Sequence, residues 1–278
     1  MPRVLAWEVT RQCPLKCRHC RAGARNVPYE NELTTDECRK VLDSLAGGTA
    51  MVIWTGGEPM LRTDIVELVR YATAKKLRSV MAPCGLLVTK ERLQELKEAG
   101  IMACSFSLDG PDAATHDAFR GVAGAFNNVV AAMGVARDIG MPFQINTTVS
   151  TLNLDQLDTI YEKAMALGAT RLDVFSLVPV GRGQAINQYV LNDEQVRSVI
   201  EWSKTHTCKL TCCPMAGTCI GGRGFAFLSH TGQLQTCGFV DTPCGNIRDF
   251  NCDFRALCAA AANPLGVVGT CRDRSGNV

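Results

Sequence analysis

The sequence predicts an α/β fold followed by a small cysteine-rich C-terminal segment, and three observations carry that expectation. Short apolar runs alternate with amphipathic stretches through the first two-thirds of the chain. Helix start and stop residues bracket several of those stretches. Near residue 207 the texture changes, and more than half of the fifteen cysteines lie beyond it. Six strand-like runs, each followed by a helix-like stretch, leave a parallel barrel and an open doubly wound sheet as the candidate architectures.

The strand-like runs are residues 4–9, 51–54, 78–81, 102–107, 143–149 and 171–178. The helical stretches are 35–46, 64–75, 90–99, 126–139, 154–167 and 194–206, where apolar positions recur at helical spacing. Thr34-Thr35-Asp36-Glu37 has the composition of a capped helix start, and Gly100, Gly140 and Gly168 stand where helices stop. After residue 207 only one hairpin is evident, 224–229 with 233–237 around His230-Thr231-Gly232, followed by a short helix at 254–262. So many cysteines in so short a segment imply that metal rather than an apolar core organises it. The expected division is therefore 1–207 and 208–278.

The charge balance narrows the function. A net charge of +2, with Lys and Arg scattered among acids, gives no field for nucleic acid or a membrane surface. No run approaches the roughly 18 apolar residues of a membrane span, and MPRVLAWEVT lacks the apolar stretch of a secretory signal. A cytoplasmic location with no membrane or nucleic-acid partner is expected. The cysteine count is odd, and its density falls below the ~8–10% of small disulfide scaffolds. In a reducing compartment such thiols are kept for metal or redox chemistry.

Cys13-Pro-Leu-Lys-Cys17-Arg-His-Cys20 places three thiols in one loop directly after the first strand. Thiolates are the usual ligands of iron–sulfur clusters, and three of them leave one iron of a cubane open to a small molecule. A structural zinc site is the competing reading, but zinc favours four closed ligands. Thr55-Gly56-Gly57-Glu58-Pro59 follows the second strand, at the end where parallel barrels place their chemistry. The glycines permit close backbone approach, and the carboxylate suits an ammonium group.

Together these two motifs resemble the radical S-adenosylmethionine (SAM) superfamily, over about residues 4–180. The resemblance implies a partial (β/α)6 radical SAM barrel with a small cysteine-rich C-terminal domain. It further implies a [4Fe–4S] cluster on Cys13, Cys17 and Cys20, and SAM gripped by Gly56, Gly57, Glu58 and Pro59. His19, before the last cysteine, would pack near adenine. Ser107 and Asn146 would contact the carboxylate or ribose region, with Asp109 either joining them or forming an Asp-Gly turn. An electron from a donor such as flavodoxin or ferredoxin would cleave SAM, and the 5′-deoxyadenosyl radical would abstract hydrogen from substrate.

The tail is similar to the SPASM or twitch extensions, which bind auxiliary clusters. Cys219, a spacer and Gly232-Gln-Leu-Gln-Thr-Cys237 follow that pattern, with Cys271 as a third ligand of an auxiliary [4Fe–4S] cluster. Cys208, Cys212 and Cys213 are substitutes. The dense cysteine run usual downstream is absent, and the sequence stops seven residues after Cys271, so the auxiliary segment is expected to be incomplete. Cys38, Cys84 and Cys104 are expected to be buried free thiols.

Several stretches are similar to the haem synthase branch, which decarboxylates two propionates of iron-coproporphyrin III. They include Leu5-Ala-Trp-Glu-Val-Thr-Arg11, Met81-Ala-Pro-Cys-Gly85 and Gly224-Phe-Ala-Phe-Leu-Ser-His230. Haem biosynthesis on a tetrapyrrole is thus the implied role. Arg21, Arg62, Arg120 and Arg182 are candidates to face propionates at the barrel mouth, or else solvated surface arginines. His116 is expected on a helix surface rather than as a haem ligand. A peptide-modifying radical enzyme with a peptide substrate is the rival, and an inactive iron–sulfur or zinc-binding protein is the alternative from another class.

Overall fold

In the apolar runs, side chains point alternately to opposite faces, and this period of two makes them strands with one face packed and one face available. The computed structural model of the chain describes residues 1–211, 215, 221–222, 224–239 and 243–260. The strands are β1 (Val4–Glu8), β2 (Met51–Thr55), β3 (Arg78–Met81), β4 (Ile101–Ser107), β5 (Phe143–Val149) and β6 (Leu172–Ser176). They continue with β7 (Cys208–Thr211), β8 (Phe225–Leu228), β9 (Gln233–Gln235) and β10 (Pro243–Asn246). All join one sheet in the order β10-β9-β8-β1-β2-β3-β4-β5-β6-β7.

The sheet is parallel from β8 through β7, and only the β8–β9 and β9–β10 pairings at one edge are antiparallel. Its ends, β10 and β7, are not paired to each other, so the barrel is partial. Two features extend the six expected repeats. β7 adds a further parallel strand after the sixth, and β8 lies alongside β1, with Val4 opposite Phe225 and Trp7 opposite Leu228. Strands on the far side of residue 207 thereby belong to the same sheet as those before it.

The helices are α1 (Thr35–Leu45), α2 (Ile65–Ala74), α3 (Lys90–Ala99), α4 (Ala113–Arg120), α5 (Ala125–Asp138), α6 (Leu157–Ala166), α7 (Asp193–Ser203) and α8 (Phe254–Ala260). α1 begins with a capping box: the Thr34 hydroxyl accepts from Glu37 N, and the Glu37 carboxylate accepts from Thr34 N at 2.8 Å. The core lies between helices and sheet. Trp7 and Trp54 are direct neighbours on β1 and β2, fully buried and stacked with centroids 5.7 Å apart. In β5, Phe143, Ile145, Thr147 and Val149 are buried, whereas Gln144, Asn146 and Thr148 on the other face are only partly so. That second face, polar on a central strand, is where a site can form.

Two ion clusters fasten the C-terminal strands to the front of the molecule. Arg248 donates to the Glu37 carboxylate at 2.6 and 3.0 Å and to the Asn31 and Glu32 carbonyls. Deeper in, the buried Glu8 carboxylate at the end of β1 meets Arg11 Nε at 2.8 Å, Arg21 at 3.0 Å and His230 Nδ1 at 2.9 Å. Burial pushes the Glu8 carboxyl up, but His230, Arg21 and Arg11 outweigh it and hold the group down at about 2.

This depression predicts a specific acid response. Relative to an ordinary value of 4.5, Glu8 contributes stability that is fully present above about pH 4.5 and is lost as pH falls through about 2. The contribution is on the order of 3 kcal/mol. Glu8→Gln leaves the Arg11 and Arg21 guanidinium groups facing a neutral amide, at a cost of about 3–5 kcal/mol near neutral pH. Urea denaturation at pH 7 and pH 3 should show a smaller acid-induced loss in the variant than in the wild type. Equal losses in the two proteins would mean that Glu8 is not held ionised.

Candidate active site

The loop after β1 is built by backbone contact. Gly57 N donates to the Thr10 carbonyl at 2.8 Å, and Glu58 N donates to the Gln12 carbonyl at 2.7 Å. A Cβ on Gly56 would stand 2.3 Å from Thr10 O, and one on Gly57 only 2.2 Å from Gln12 O. The paired glycines are required because the turn after β2 presses against the chain that leads into Cys13. Arg182 closes the far side of the loop, donating to the Cys17 carbonyl at 2.8 Å and the Ala24 carbonyl at 2.6 Å.

A short helix outside the six helical stretches read from the sequence completes the support. The last carbonyls of α4 receive the loop: Arg18 N donates to Phe119 O at 2.9 Å and Lys16 N to Arg120 O at 3.1 Å. These orphan carbonyls at a helix end need donors, and the two residues flanking Cys17 supply them. Arg120 also reaches Cys17 Sγ at 3.7 Å and pairs with the buried Asp109 carboxylate at 2.6 Å. α4 was legible in principle, since Asp112 caps its start through Thr115 N and Gly121 ends it in the left-handed region.

A cavity of about 250 Å³ opens over this loop at the carboxyl ends of the strands. Cys13, Cys17, His19 and Cys20 line it from the loop, Gly56 and Gly57 from the turn after β2, and Ser107, Asn146 and Thr148 from β4 and β5. Arg21, Arg120, Arg182 and Phe239 complete the rim. The structure thus brings together eight residues expected from sequence: the three cysteines, His19, both glycines, Ser107 and Asn146. Asn146 is steadied by Gln144 Nε2 at 3.1 Å, which itself donates to Asp173 at 3.0 Å.

The structure places several of the expected residues apart from the cavity lining. Glu58 and Pro59 follow the lining Gly56-Gly57 pair without lining the cavity themselves, and the fully buried Glu58 carboxylate accepts from Met60 N at 2.8 Å and Cys84 N at 2.5 Å. Burial raises its pKa, against those hydrogen bonds. Cys38 and Cys104 are buried free thiols as expected, whereas Cys84, also free, is only partly buried and lines the cavity. His116 is not at a surface: it is buried and its Nδ1 accepts from Asp109 N at 3.1 Å. Asp109 accepts from Thr148 N at 2.8 Å, so it joins strand ends rather than facing the cavity. Arg62 is turned to Asp64 and to the Val9 and Leu33 carbonyls, away from the cavity. Among the tail cysteines, Cys237 is described, while Cys212, Cys213, Cys219 and Cys271 lie outside the described residues.

The donor set fits a cluster. Burial pushes the Cys13 thiol up to about 12 and raises Cys17, with neighbouring thiols adding to the repulsion. Protein alone therefore disfavours thiolates here, and a cationic metal centre is what would stabilise them. His19, whose Nδ1 is buried without a partner, lies against Phe119 at 4.7 Å, and burial lowers its pKa to about 4. The ring is a neutral, flat wall of the cavity.

Residues 7–164 match the family model of the radical SAM superfamily. The chain belongs to that superfamily. It is 42% identical to an AdoMet-dependent heme synthase of Nitratidesulfovibrio vulgaris, over 89% of this chain and 76% of that protein. It is 38% identical to the protein of the same name from Methanosarcina barkeri, over 89% of this chain and 80% of the relative. A PqqA peptide cyclase of Bradyrhizobium diazoefficiens is 34% identical over 63% of this chain and 46% of its own length. Among solved structures, Streptococcus suis SuiB bound to S-adenosylmethionine superposes with a TM-score of 0.76 at 16% identity, covering 95% of this chain and 67% of that one, which establishes the shared fold. The cofactors of the radical SAM superfamily, a [4Fe–4S] cluster and SAM, are accordingly those of this enzyme.

Because a radical SAM loop must be held rigidly, Gly57→Ala should be severe. The added methyl would meet Gln12 O at 2.2 Å and Arg11 O at 2.5 Å, both backbone atoms that cannot swing aside. Anaerobic reconstitution followed by iron and acid-labile sulfide counts should find most of the cluster lost. Wild-type loading would mean the close approach is dispensable.

Proposed function

We propose that this chain is a radical SAM haem synthase, which oxidatively decarboxylates propionate side chains of iron-coproporphyrin III. One observation carries the reading: relatives named as haem synthases match along 89% of the chain, whereas the peptide cyclase matches 63%. In this reading Cys13, Cys17 and Cys20 hold the cluster. The Gly56 and Gly57 backbone, with Ser107 and Asn146, contacts SAM, and His19 packs against its base. Glu58 and Pro59 shape the turn from behind. When bound, the cluster and SAM would supply a 5′-deoxyadenosyl radical for hydrogen abstraction.

The chain's own residues then bind and orient substrate. Arg21 lines the cavity and suits a propionate: Glu8 fixes one end of the guanidinium, and Phe227 lies beneath it at 4.1 Å. Among the described residues its only other acceptor is the Gly238 carbonyl, 3.5 Å from NH1. A planar guanidinium held this way retains donors for a carboxylate. Arg182 is occupied by loop carbonyls and serves the loop itself. Phe239 adds an aromatic side chain to the cavity lining, which helps to exclude water.

We further assign residues 1–207 to the barrel and residues 208–278 to an auxiliary-cluster segment, with Cys219, Cys237 and Cys271 as its ligands. Support comes from Cys237, which stands two residues before the cavity-lining Phe239. A flavodoxin or ferredoxin is the proposed electron donor. No described helix is long and apolar enough to cross a membrane.

Reconstituted protein with SAM, a strong reductant and iron-coproporphyrin III should yield 5′-deoxyadenosine and porphyrin that has lost two carboxyl groups, read by mass spectrometry. Arg21→Gln should raise KM for the porphyrin about tenfold or more while deoxyadenosine is still formed, a loss of ~1.4 kcal/mol or more in binding. Deoxyadenosine with unchanged porphyrin would reject the substrate and keep the radical chemistry.

A further inference from the structure

Arg120 is more deeply committed than a mouth arginine should be. Its side chain is only 11% exposed and faces two partners at once: Asp109 at 2.6 Å and Cys17 Sγ at 3.7 Å. Asp109 is itself fully buried and fixed by Thr148 N. The backbone beneath is equally constrained, because the Phe119 and Arg120 carbonyls hold Arg18 N and Lys16 N on either side of Cys17. Gly121 follows at φ +69°, where a Cβ would stand 2.5 Å from Lys16 O. The end of α4 thus grips one cysteine by backbone and side chain together.

We infer that Arg120 is a positioning residue for the cluster, one that donates to the Cys17 sulfur and raises the potential at which the cluster accepts its electron. The inference rests on the reading of Cys17 as a cluster ligand. Hydrogen bonds to ligand sulfur, net charge and solvent exposure are the protein's controls over cluster potential. One-electron reduction adds negative charge to the centre. A guanidinium beside the ligand sulfur stabilises that added charge, and burial strengthens the effect by lowering the local dielectric. Asp109 lies behind the guanidinium and acts in the opposite sense, so the pair presents its positive end to the sulfur. Arg120 is therefore assigned to the cluster rather than to a propionate.

The two charges predict shifts of opposite sign, which a merely structural brace would not produce. Wild type, Arg120→Lys, Arg120→Gln and Asp109→Asn are reconstituted anaerobically, and iron and acid-labile sulfide are counted. Redox titration monitored by electron paramagnetic resonance, without SAM, then gives each midpoint potential. The expected result is a more negative midpoint in R120Q, a more positive one in D109N, and a value near wild type in R120K. An R120Q protein with a full cluster and an unshifted or raised midpoint overturns the inference. Where R120Q fails to retain its cluster, D109N decides, and an unshifted or lowered midpoint there overturns it equally. A wild-type protein that forms no cluster would remove the underlying reading as well.

Discussion

Where the Gly56–Gly57 turn crosses the chain leaving β1, two backbones meet with no side chain between them. Thr10 and Gln12 carbonyls receive Gly57 N and Glu58 N, so the start of the cysteine loop is indexed against the end of β2. The consequences spread outward from that contact. Glu58, carried into the core by the same turn, captures the Cys84 amide and so fixes the segment after β3. β1 and β2 are adjacent central strands whose register is locked by the Trp7–Trp54 stack. The cysteine loop is therefore held by three neighbouring strand ends before any metal is considered, which is the preorganisation a reactive centre requires.

Around this frame two buried carboxylates each hold an arginine at the cavity. Glu8 restrains Arg21, and Asp109 restrains Arg120. Buried ion pairs add little net stability, because desolvation offsets most of the attraction. Their value here is directional. Each carboxylate leaves one side of a guanidinium committed and the other turned to a defined neighbour: the cavity for Arg21, the Cys17 sulfur for Arg120. Two residues of the same type are thereby separated into different tasks by what stands behind them.

That separation was not visible in the sequence. Arg21, Arg62, Arg120 and Arg182 all follow strand or motif ends, and nothing local distinguishes them. Most of their partners are distant in the chain: Glu8 and Gly238 for Arg21, Cys17 for Arg120, and for Arg62 the Val9 and Leu33 carbonyls besides the nearby Asp64. The strands and the cavity residues were legible because period-two alternation and closely spaced motifs are local signals. Strand β5 was expected at 143–149 and occupies those residues, and Asn146 faces the cavity because alternation requires it. By contrast, α4 is only eight residues long, little more than two turns, so its capping Asp112 and terminal Gly121 read as easily as a loop between β4 and α5. His116 looked like a surface residue for the same reason: its burial depends on α5, through Phe126, and on the Asp109 turn.

The parallel pairing of β8 with β1 has a functional consequence of its own. It carries His230 to Glu8 and Phe227 beneath Arg21, so the guanidinium at the cavity is set jointly by the cysteine loop and by the C-terminal segment. β8 then leads through β9 to Cys237, Gly238 and Phe239, where a Cβ on Gly238 would meet Arg21 Nε at 3.1 Å. The lack of a side chain at Gly238 is what lets this strand pass so close to Arg21 while Phe239 reaches the cavity rim. Cys237 thereby stands one residue from the glycine packed on Arg21 and two from the cavity-lining Phe239.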